Sequence, residues 1–384
     1  MSHQPDSSVI LPPAMLGMLG GGQLGRFFVI AAHEMGYKVT VLDPDKKSPA
    51  GRIADVHLCT PYDDIKALQQ LTQTCAAITT EFENVPAETM DYLAKTRIVR
   101  PSPQAVAIAQ NRVMEKNFIR EAGLPVAPFV VVRKEEDIPE EGVYPGILKV
   151  ARFGYDGKGQ VRVADATAAK AAFEKLGREV CVLEQMLTLD YEVSVILGRD
   201  AEGNIAAFPT AENSHLNGIL DISIAPARAP AALHEEAHQL AIHVAEQLDY
   251  VGVLAVEFFV SDGKLLVNEI APRPHNSGHY TIDACATNQF EQQVRILAGL
   301  PLGDARMHSY AVMVNILGDV WGKGEPAWDK LFACPQTKLH LYGKHEARPG
   351  RKMGHFTVLG KDVETVVALA MQGRSDLGIG SLTW

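Results

Sequence analysis

Glu257 and Glu269 flank an Asp262-Gly263 turn signal within EFFVSDGKLLVNEIAPRPHNSGH, residues 257–279. The pattern predicts a strand, a tight turn and a second strand. Two registers are possible. A plain two-residue turn pairs Glu257 with Asn268 and faces Glu269 away, because side chains alternate along a strand. A longer or bulged hairpin sets Glu257 directly opposite Glu269, a repulsive pair unless a cation lies between them. Carboxylates with nucleotide phosphates are the usual Mg²⁺ ligands. Arg273, His275, Asn276 and Ser277 follow in a Pro- and Gly-rich run that suits an anion. Together they read as a metal–phosphate site.

Other stretches carry compatible chemistry. GYDGKGQ comprises Gly154, Tyr155, Asp156, Gly157, Lys158, Gly159 and Gln160, between strand-like GILKVA and GQVRVA. Backbone donors of such a hairpin can close over a polyphosphate, with Lys149 and Lys158 as point charges. It is no Walker A loop, since no G-K-[ST] opens a helix. EQML (Glu184, Gln185, Met186, Leu187) ends an apolar strand, and Glu192 lies in the next; strand-edge backbone reads an adenine and a carboxylate suits ribose hydroxyls. GGGQLG, with Gly20, Gly22 and Gly25, follows a strand and opens a helix, and Asp43 ends the next strand, as in a dinucleotide fingerprint. Its amides are expected to hold a phosphate. RPGRKMGH places Arg348, Arg351 and Lys352 in one basic knot.

These residues need a scaffold. The 384-residue chain is 47% apolar and 21% charged, ordinary for a globular protein of two or three domains. Its net charge of −10 argues against a general nucleic-acid binder. Five scattered cysteines without a CxxC pair read as reduced thiols. The short apolar stretch 9–19, broken by Pro12-Pro13, fits neither a signal peptide nor a membrane span. A cytoplasmic location is expected. Apolar runs at 14–19, 37–43 and 76–82 alternate with helical patterns at 25–35 and 86–95, predicting a doubly wound α/β domain. A helix is predicted over 105–121. Closely spaced strands then predict an α+β unit, with helices over 166–176, 233–248 and 281–297. After Pro301 the chain reads as mainly strand, closing with a short helix near 363–372.

Taken in order, LGGGQLGR, TEFENVP, Asn111-Arg112, ILK, GYDGKGQ, EQ, VEFF, NEIAPRPHNSGH and GRKMGH resemble the ATP-grasp superfamily. Within it they resemble the N5-carboxyaminoimidazole ribonucleotide synthetase (PurK) family. The resemblance implies three lobes: a Rossmann-like domain over 1–115, an ATP-grasp fold over 116–300 and a small β-rich domain over 301–384. It implies an ATP- and bicarbonate-dependent ligase of purine biosynthesis acting on 5-aminoimidazole ribonucleotide through carboxyphosphate, working as a homodimer. By motif, ATP meets Arg112, Lys149, Gly154 to Gln160, Glu184 to Leu187, Glu192, His215, Asn268 and Glu269, while Glu257 and Glu269 hold Mg²⁺. The substrate falls to Gly22, Gln23, Leu24, Tyr155, Arg273, His275, Asn276, Ser277, Arg351 and Lys352. Asp156 is the candidate to orient or deprotonate the amine, with Lys158 and Lys352 steadying carboxyphosphate. One departure is Ala271, where many ATP-grasp enzymes carry Asn; the metal is left to two glutamates and water. A formate-dependent phosphoribosylglycinamide transformylase would carry a GELG-type first loop, where Gln23 stands here. An NAD-dependent oxidoreductase accounts for the first loop alone.

Overall fold

The computed structural model describes residues 9–152, 154 and 159–380. Tyr155, Asp156, Gly157 and Lys158 lie outside them. The first sheet joins β1 (Met15–Leu19), β2 (Lys38–Leu42), β3 (Val56–Leu58), β4 (Ala77–Thr80) and β5 (Ile98–Val99), all parallel, in the order β3-β2-β1-β4-β5. Runs such as MLGML are apolar at nearly every position because both faces are covered; Leu16, Met18 and Leu19 are fully buried. Helices α1 (Gln23–Glu34), α2 (Ile65–Thr74) and α3 (Ala87–Ala94) connect these strands. The strand order reverses at β1, so the Gly20–Gly25 loop lies at the switch point. This is the expected doubly wound domain.

The helix predicted over 105–121 is two helices, α4 (Pro103–Ala109) and α5 (Arg112–Glu121). Asn111 caps the second, its Oδ1 accepting from the amides of Val113 at 2.9 Å and Met114 at 3.4 Å. The boundary expected after residue 115 thus falls inside α5, whose side chains reach the central sheets described below.

A four-stranded sheet follows, from β6 (Phe129–Val132), β7 (Gly146–Val150), β8 (Gln160–Val163) and, after α6 (Ala166–Lys175), β9 (Cys181–Gln185), ordered β6-β9-β7-β8. The third sheet has nine strands among the described residues. It takes β10 (Tyr191–Arg199), β11 (Ile205–Ala207), β12 (Ala211–Leu216), β13 (Ile219–Ala225), then α7 (Ala231–Gln247), β14 (Gly252–Ser261) and β15 (Lys264–Ala271). The helix predicted over 281–297 is broken into α8 (Thr281–Ala284) and α9 (Gln289–Leu297), because Asn288 Oδ1 caps the amides of Phe290 and Glu291, both at 2.9 Å. Beyond come β16 (Tyr310–Leu317), α10 (Trp328–Phe332), β17 (Thr337–Leu341), β18 (Lys352–Gly360) and α11 (Val363–Asp376).

These last strands extend the central sheet, in the order β15-β14-β10-β12-β13-β16-β18-β17. At about 4.8 Å per strand a flat sheet would separate β14 from β18 by roughly 24 Å. Glu257 on β14 and Lys352 on β18 nevertheless line one cavity, so the sheet is curled into a trough. Phe27 of α1 ties the first domain to its far end, edge-on to Tyr342 with ring centroids 5.8 Å apart and to His340 at 6.0 Å. No described helix is long and apolar enough to cross a membrane. All five cysteines are free thiols, three of them buried.

The outer face of β13 is held to α11 by an ion pair almost sealed from water. Arg374 donates to Asp221 Oδ1 at 2.6 Å and to the Gly380 carbonyl at 2.8 Å, with the arginine 2% exposed. Removing one member leaves the other charge buried alone, which costs about 3–5 kcal/mol. Arg374→Met should therefore lower the thermal midpoint sharply, and Arg374→Met with Asp221→Leu should recover much of that loss. Calorimetry of both variants checks it.

Candidate active site

The Asp262-Gly263 turn is the tight two-residue kind: both residues have positive φ, +49° and +68°, and Ser261 pairs with Lys264. That register alone would have opposed Glu257 to Asn268. A bulge intervenes. Phe258 still pairs with Val267, but Glu257 pairs with Glu269, leaving Asn268 as the extra residue on β15. The two carboxylates therefore face each other. Glu257 Oε1 is buried with no hydrogen-bond partner among the described residues. Burial, with Glu269 and Glu192 adding repulsion and His215 opposing it, pushes the Glu257 carboxyl up to about 7.

Around this pair lies a cavity of about 520 Å³, bounded by the four-stranded sheet, the trough and the first domain. Lys149, Gly154, Gly159 and Gln160 line it from β7, β8 and the loop between them; Glu192 and His215 come from β10 and β12; Asn268, Glu269, Arg273 and His275 from β15 and beyond; Arg112 from α5; Lys352 from β18. Their charges interlock. Glu184 Oε2 sits 3.2 Å from Lys149 Nζ and 3.3 Å from Lys116 Nζ. Burial would raise that carboxyl, but Lys116, Lys149 and Arg112 outweigh it and hold it at about 2. Lys149 shares its anion with Lys116, so burial wins there and lowers its ammonium. Arg112 lies 3.6 Å from Glu269, and Arg273 Nε donates to Glu83 at 2.6 Å. His215 Nδ1 is 3.1 Å from Glu192; burial pulls its imidazole down, but Glu192 and Glu257 raise it overall.

Other expected site residues are placed elsewhere. The first loop fills its own donors: Gly22 and Gly25 amides donate to the Glu81 carboxylate, the latter at 2.6 Å, and the Gly21 amide donates to Asp43 at 2.7 Å. A Cβ on Gly22 would stand 2.5 Å from Glu81 Oε1, so a larger residue there would displace that carboxylate. The phosphate expected at these amides is thus replaced by the protein's own carboxylates, and Asp43, which also accepts from Tyr62, does not face a ribose. Leu24 is buried in the first domain's apolar core. Gln23 begins α1, and Arg351 donates to the Glu346 carbonyl at 2.9 Å; neither lines the cavity. Asn276 spends its amide on Asn315, at 3.1 and 2.7 Å, and Ser277 is fully buried. Gln185 ends β9, and the Met186 amide donates to Pro145; Met186 is partly exposed and Leu187 half-buried.

Three residues escaped the sequence reading. Glu83 lines the cavity as the anion of Arg273; its signal was TEFENVP, quoted without a role for its glutamates. Lys116, fully buried, also donates to the Asn268 carbonyl at 2.9 Å and so braces the bulge. Glu115, 2% exposed, accepts from the Ile270 amide at 2.6 Å. Both follow Arg112 on α5, the helix predicted as part of a longer one.

A four-stranded sheet with its β7–β8 hairpin, set against a trough that carries paired glutamates, defines an ATP-grasp enzyme. Residues 117–290 match the ATP-grasp domain, 14–110 the ribonucleotide synthetase preATP-grasp domain, and 311–368 the phosphoribosylaminoimidazole carboxylase C-terminal domain. The chain belongs to the N5-carboxyaminoimidazole ribonucleotide synthase family. It is 47% identical to the Brucella melitensis synthase over 92% of this chain and 98% of that one. Identity to the Bacillus subtilis synthase is 43%, over 91% and 93%. Among solved structures, an N5-carboxyaminoimidazole ribonucleotide synthetase in complex with ADP superposes with a TM-score of 0.90 at 42% identity, covering 97% of this chain and 98% of that one. The Aspergillus clavatus synthase, solved with ADP and 5-aminoimidazole ribonucleotide, gives 0.85 at 30%, covering 95% and 98%.

Glu115 supplies a pH signature. Burial and Glu269 push its carboxyl from 4.5 up to about 8, against Arg112 and Lys116. A raised folded value means that its contribution is fully present below about 4.5 and lost as pH rises through about 8. Glu115→Gln keeps the acceptor for Ile270 and removes the titration. The thermal midpoint of the wild type should fall relative to the variant between pH 5 and 8.5, by up to about 4 kcal/mol equivalent. Parallel midpoint curves would refute this.

Proposed function

We propose that this chain carboxylates 5-aminoimidazole ribonucleotide to N5-carboxyaminoimidazole ribonucleotide with ATP and bicarbonate, in purine biosynthesis in the cytoplasm. The observation that carries the reading is the opposed Glu257/Glu269 pair, its buried unpartnered oxygen facing Lys149, Arg112, Arg273 and His275 in one cavity. Family membership selects the substrate.

An unpartnered buried carboxylate oxygen beside a second carboxylate fits a divalent cation. Glu257 and Glu269 would hold Mg²⁺, and since no three His, Cys, Asp or Glu among the described residues form a cluster for it, nucleotide oxygens and water complete the shell. When bound, the ion neutralises phosphate charge. Lys149, Arg112 and Lys158 complement it at the polyphosphate, while Gly154, Tyr155, Asp156, Gly157, Gly159 and Gln160 close over it. Glu184, Gln185, Met186 and Leu187 border the adenine, with Glu192, His215 and Asn268 around the ribose and phosphates. A bicarbonate oxygen attacks the γ-phosphorus and ADP leaves. Carboxyphosphate breaks its C–O bond to release CO₂ and phosphate. The exocyclic amine adds to CO₂ and gives up a proton, with Asp156 oriented on that amine. Arg273, His275 and Lys352 bind the carboxyl-bearing anion and Tyr155 borders the ribonucleotide, while Gly22, Gln23 and Arg351, outside the cavity lining, would meet only the part of the ribonucleotide that extends beyond it. Ser277 holds the His275 ring through Nδ1, and Asn276 fastens the same segment to Asn315. The homodimer rests on family resemblance.

The test is ADP release with and without each of bicarbonate and 5-aminoimidazole ribonucleotide. ADP formation should require both substrates for full rate, and nucleotide binding without turnover would replace the ligase with a silent regulator. Asp156→Asn should retain nucleotide affinity but lose turnover by about 100-fold. Glu269→Gln should cost about 100- to 1,000-fold in kcat, with a raised Mg²⁺ requirement.

A further inference from the structure

Beneath His275 an unbroken line of buried hydrogen bonds continues from Ser277 into the central sheet, beyond any residue given a role above. Ser223 Oγ on β13 contacts Asn213 Oδ1 on β12 at 2.7 Å, and Asn213 Nδ2 contacts Ser194 Oγ on β10 at 2.9 Å. Ser194 Oγ contacts Ser277 Oγ at 2.8 Å, and Ser277 Oγ contacts His275 Nδ1 at 2.9 Å. Ser194, Ser223 and Ser277 are fully buried and Asn213 is 6% exposed.

Hydroxyls both donate and accept, and an amide can be turned over, so such a line permits two directions. One further contact removes the choice. The Ser277 backbone amide points at the same Nδ1, 3.3 Å away. A backbone N–H only donates, so Nδ1 carries a lone pair. Ser277 Oγ must then donate to Nδ1 and accept from Ser194; Ser194 accepts from Asn213 Nδ2; Asn213 Oδ1 accepts from Ser223. With Nδ1 an acceptor, the ring proton is on Nε2; Nδ1 itself stands 3.7 Å from Glu257 Oε1 and makes its hydrogen bonds to Ser277, which leaves Nε2–H free to donate to a bound anion.

We propose that Ser223, Asn213, Ser194 and Ser277 are positioning residues that hold His275 as the Nε2–H tautomer, making it a neutral hydrogen-bond donor to an anionic oxygen of the carboxyl-bearing substrate. This rests on the ligase reading above. The opposite tautomer would turn a lone pair toward that oxygen and repel it. The line crosses β13, β12 and β10; His215 is on β12, Glu192 is on β10, and Ser194 on β10 pairs with Glu257 on β14, so the donor is tied to the sheet that sets the metal site rather than to a loop.

The direct test is the ¹⁵N spectrum of the full-length protein labelled at histidine, with His275 assigned by comparison with His275→Asn. A pyridine-like Nδ1 and pyrrole-like Nε2 are expected; a pyrrole-like Nδ1 overturns the proposal whatever the kinetics of the serine variants. Kinetically, Ser277→Ala and Ser194→Ala should each lower kcat by about 10-fold or more. KM for ATP should stay within about 3-fold, with a mixed tautomer signal and a thermal midpoint near wild type. Ser223→Thr, which keeps the donor, should restore most of what Ser223→Ala loses. Unchanged turnover in the alanine variants, with His275→Ala inactive, would make the line purely structural. If His275→Ala itself retains bicarbonate-dependent ADP release, the underlying reading of the site fails instead.

Discussion

Ionised groups leave water only in company, because an isolated buried charge costs several kcal/mol. The cavity obeys that constraint group by group. Glu184 is shared by Lys116 and Lys149, Glu83 answers Arg273, and Glu192 answers His215. Arg112 reaches Glu269 from α5. Glu257 is the exception: its Oε1 makes no hydrogen bond among the described residues, His275 Nδ1 standing 3.7 Å away. The fold is arranged to bring these pairs together from three sheets, and the curled central sheet makes the meeting possible.

Interlocking of this kind explains why the first domain, the four-stranded sheet and the trough share one site. Lys116 joins α5 to β9 through Glu184 and to β15 through the Asn268 carbonyl. Phe27, His340, Tyr342 and His355 stack the first domain onto β17 and β18. A displacement of any one layer would strand a charge in the others.

Local patterns were legible in the sequence where one segment decides the outcome. The apolar runs of β1, β2 and β4 and the turn at Asp262-Gly263 announce themselves. The breaks at Asn111 and Asn288 were hidden because a capping asparagine looks like one polar position on a helix face. The part played by Glu81, which follows β4 and accepts from the first loop's amides, was hidden for another reason. Gly22 and Gly25 signal amides that seek an anion, and nothing nearby in sequence says that the anion is the protein's own. The continuity of β13 with β16 and β18 is a pairing between distant segments, which composition and periodicity do not encode. The hairpin was read as two alternatives, and the choice fell to Lys116 gripping the bulged Asn268, a contact between segments far apart in the chain.

That bulge makes the arm between the two glutamates a matter of parity. One residue added to each strand toward the tip lengthens the hairpin and leaves Glu257 opposite Glu269. A single residue added or lost within one strand, between the turn and the bulge, either slides the bulge off Asn268, freeing Lys116, or turns one carboxylate to the far face. The strands therefore tolerate length changes only in pairs, whereas an odd residue is harmless where the turn itself absorbs it, so the tip is free to vary while the base counts residues.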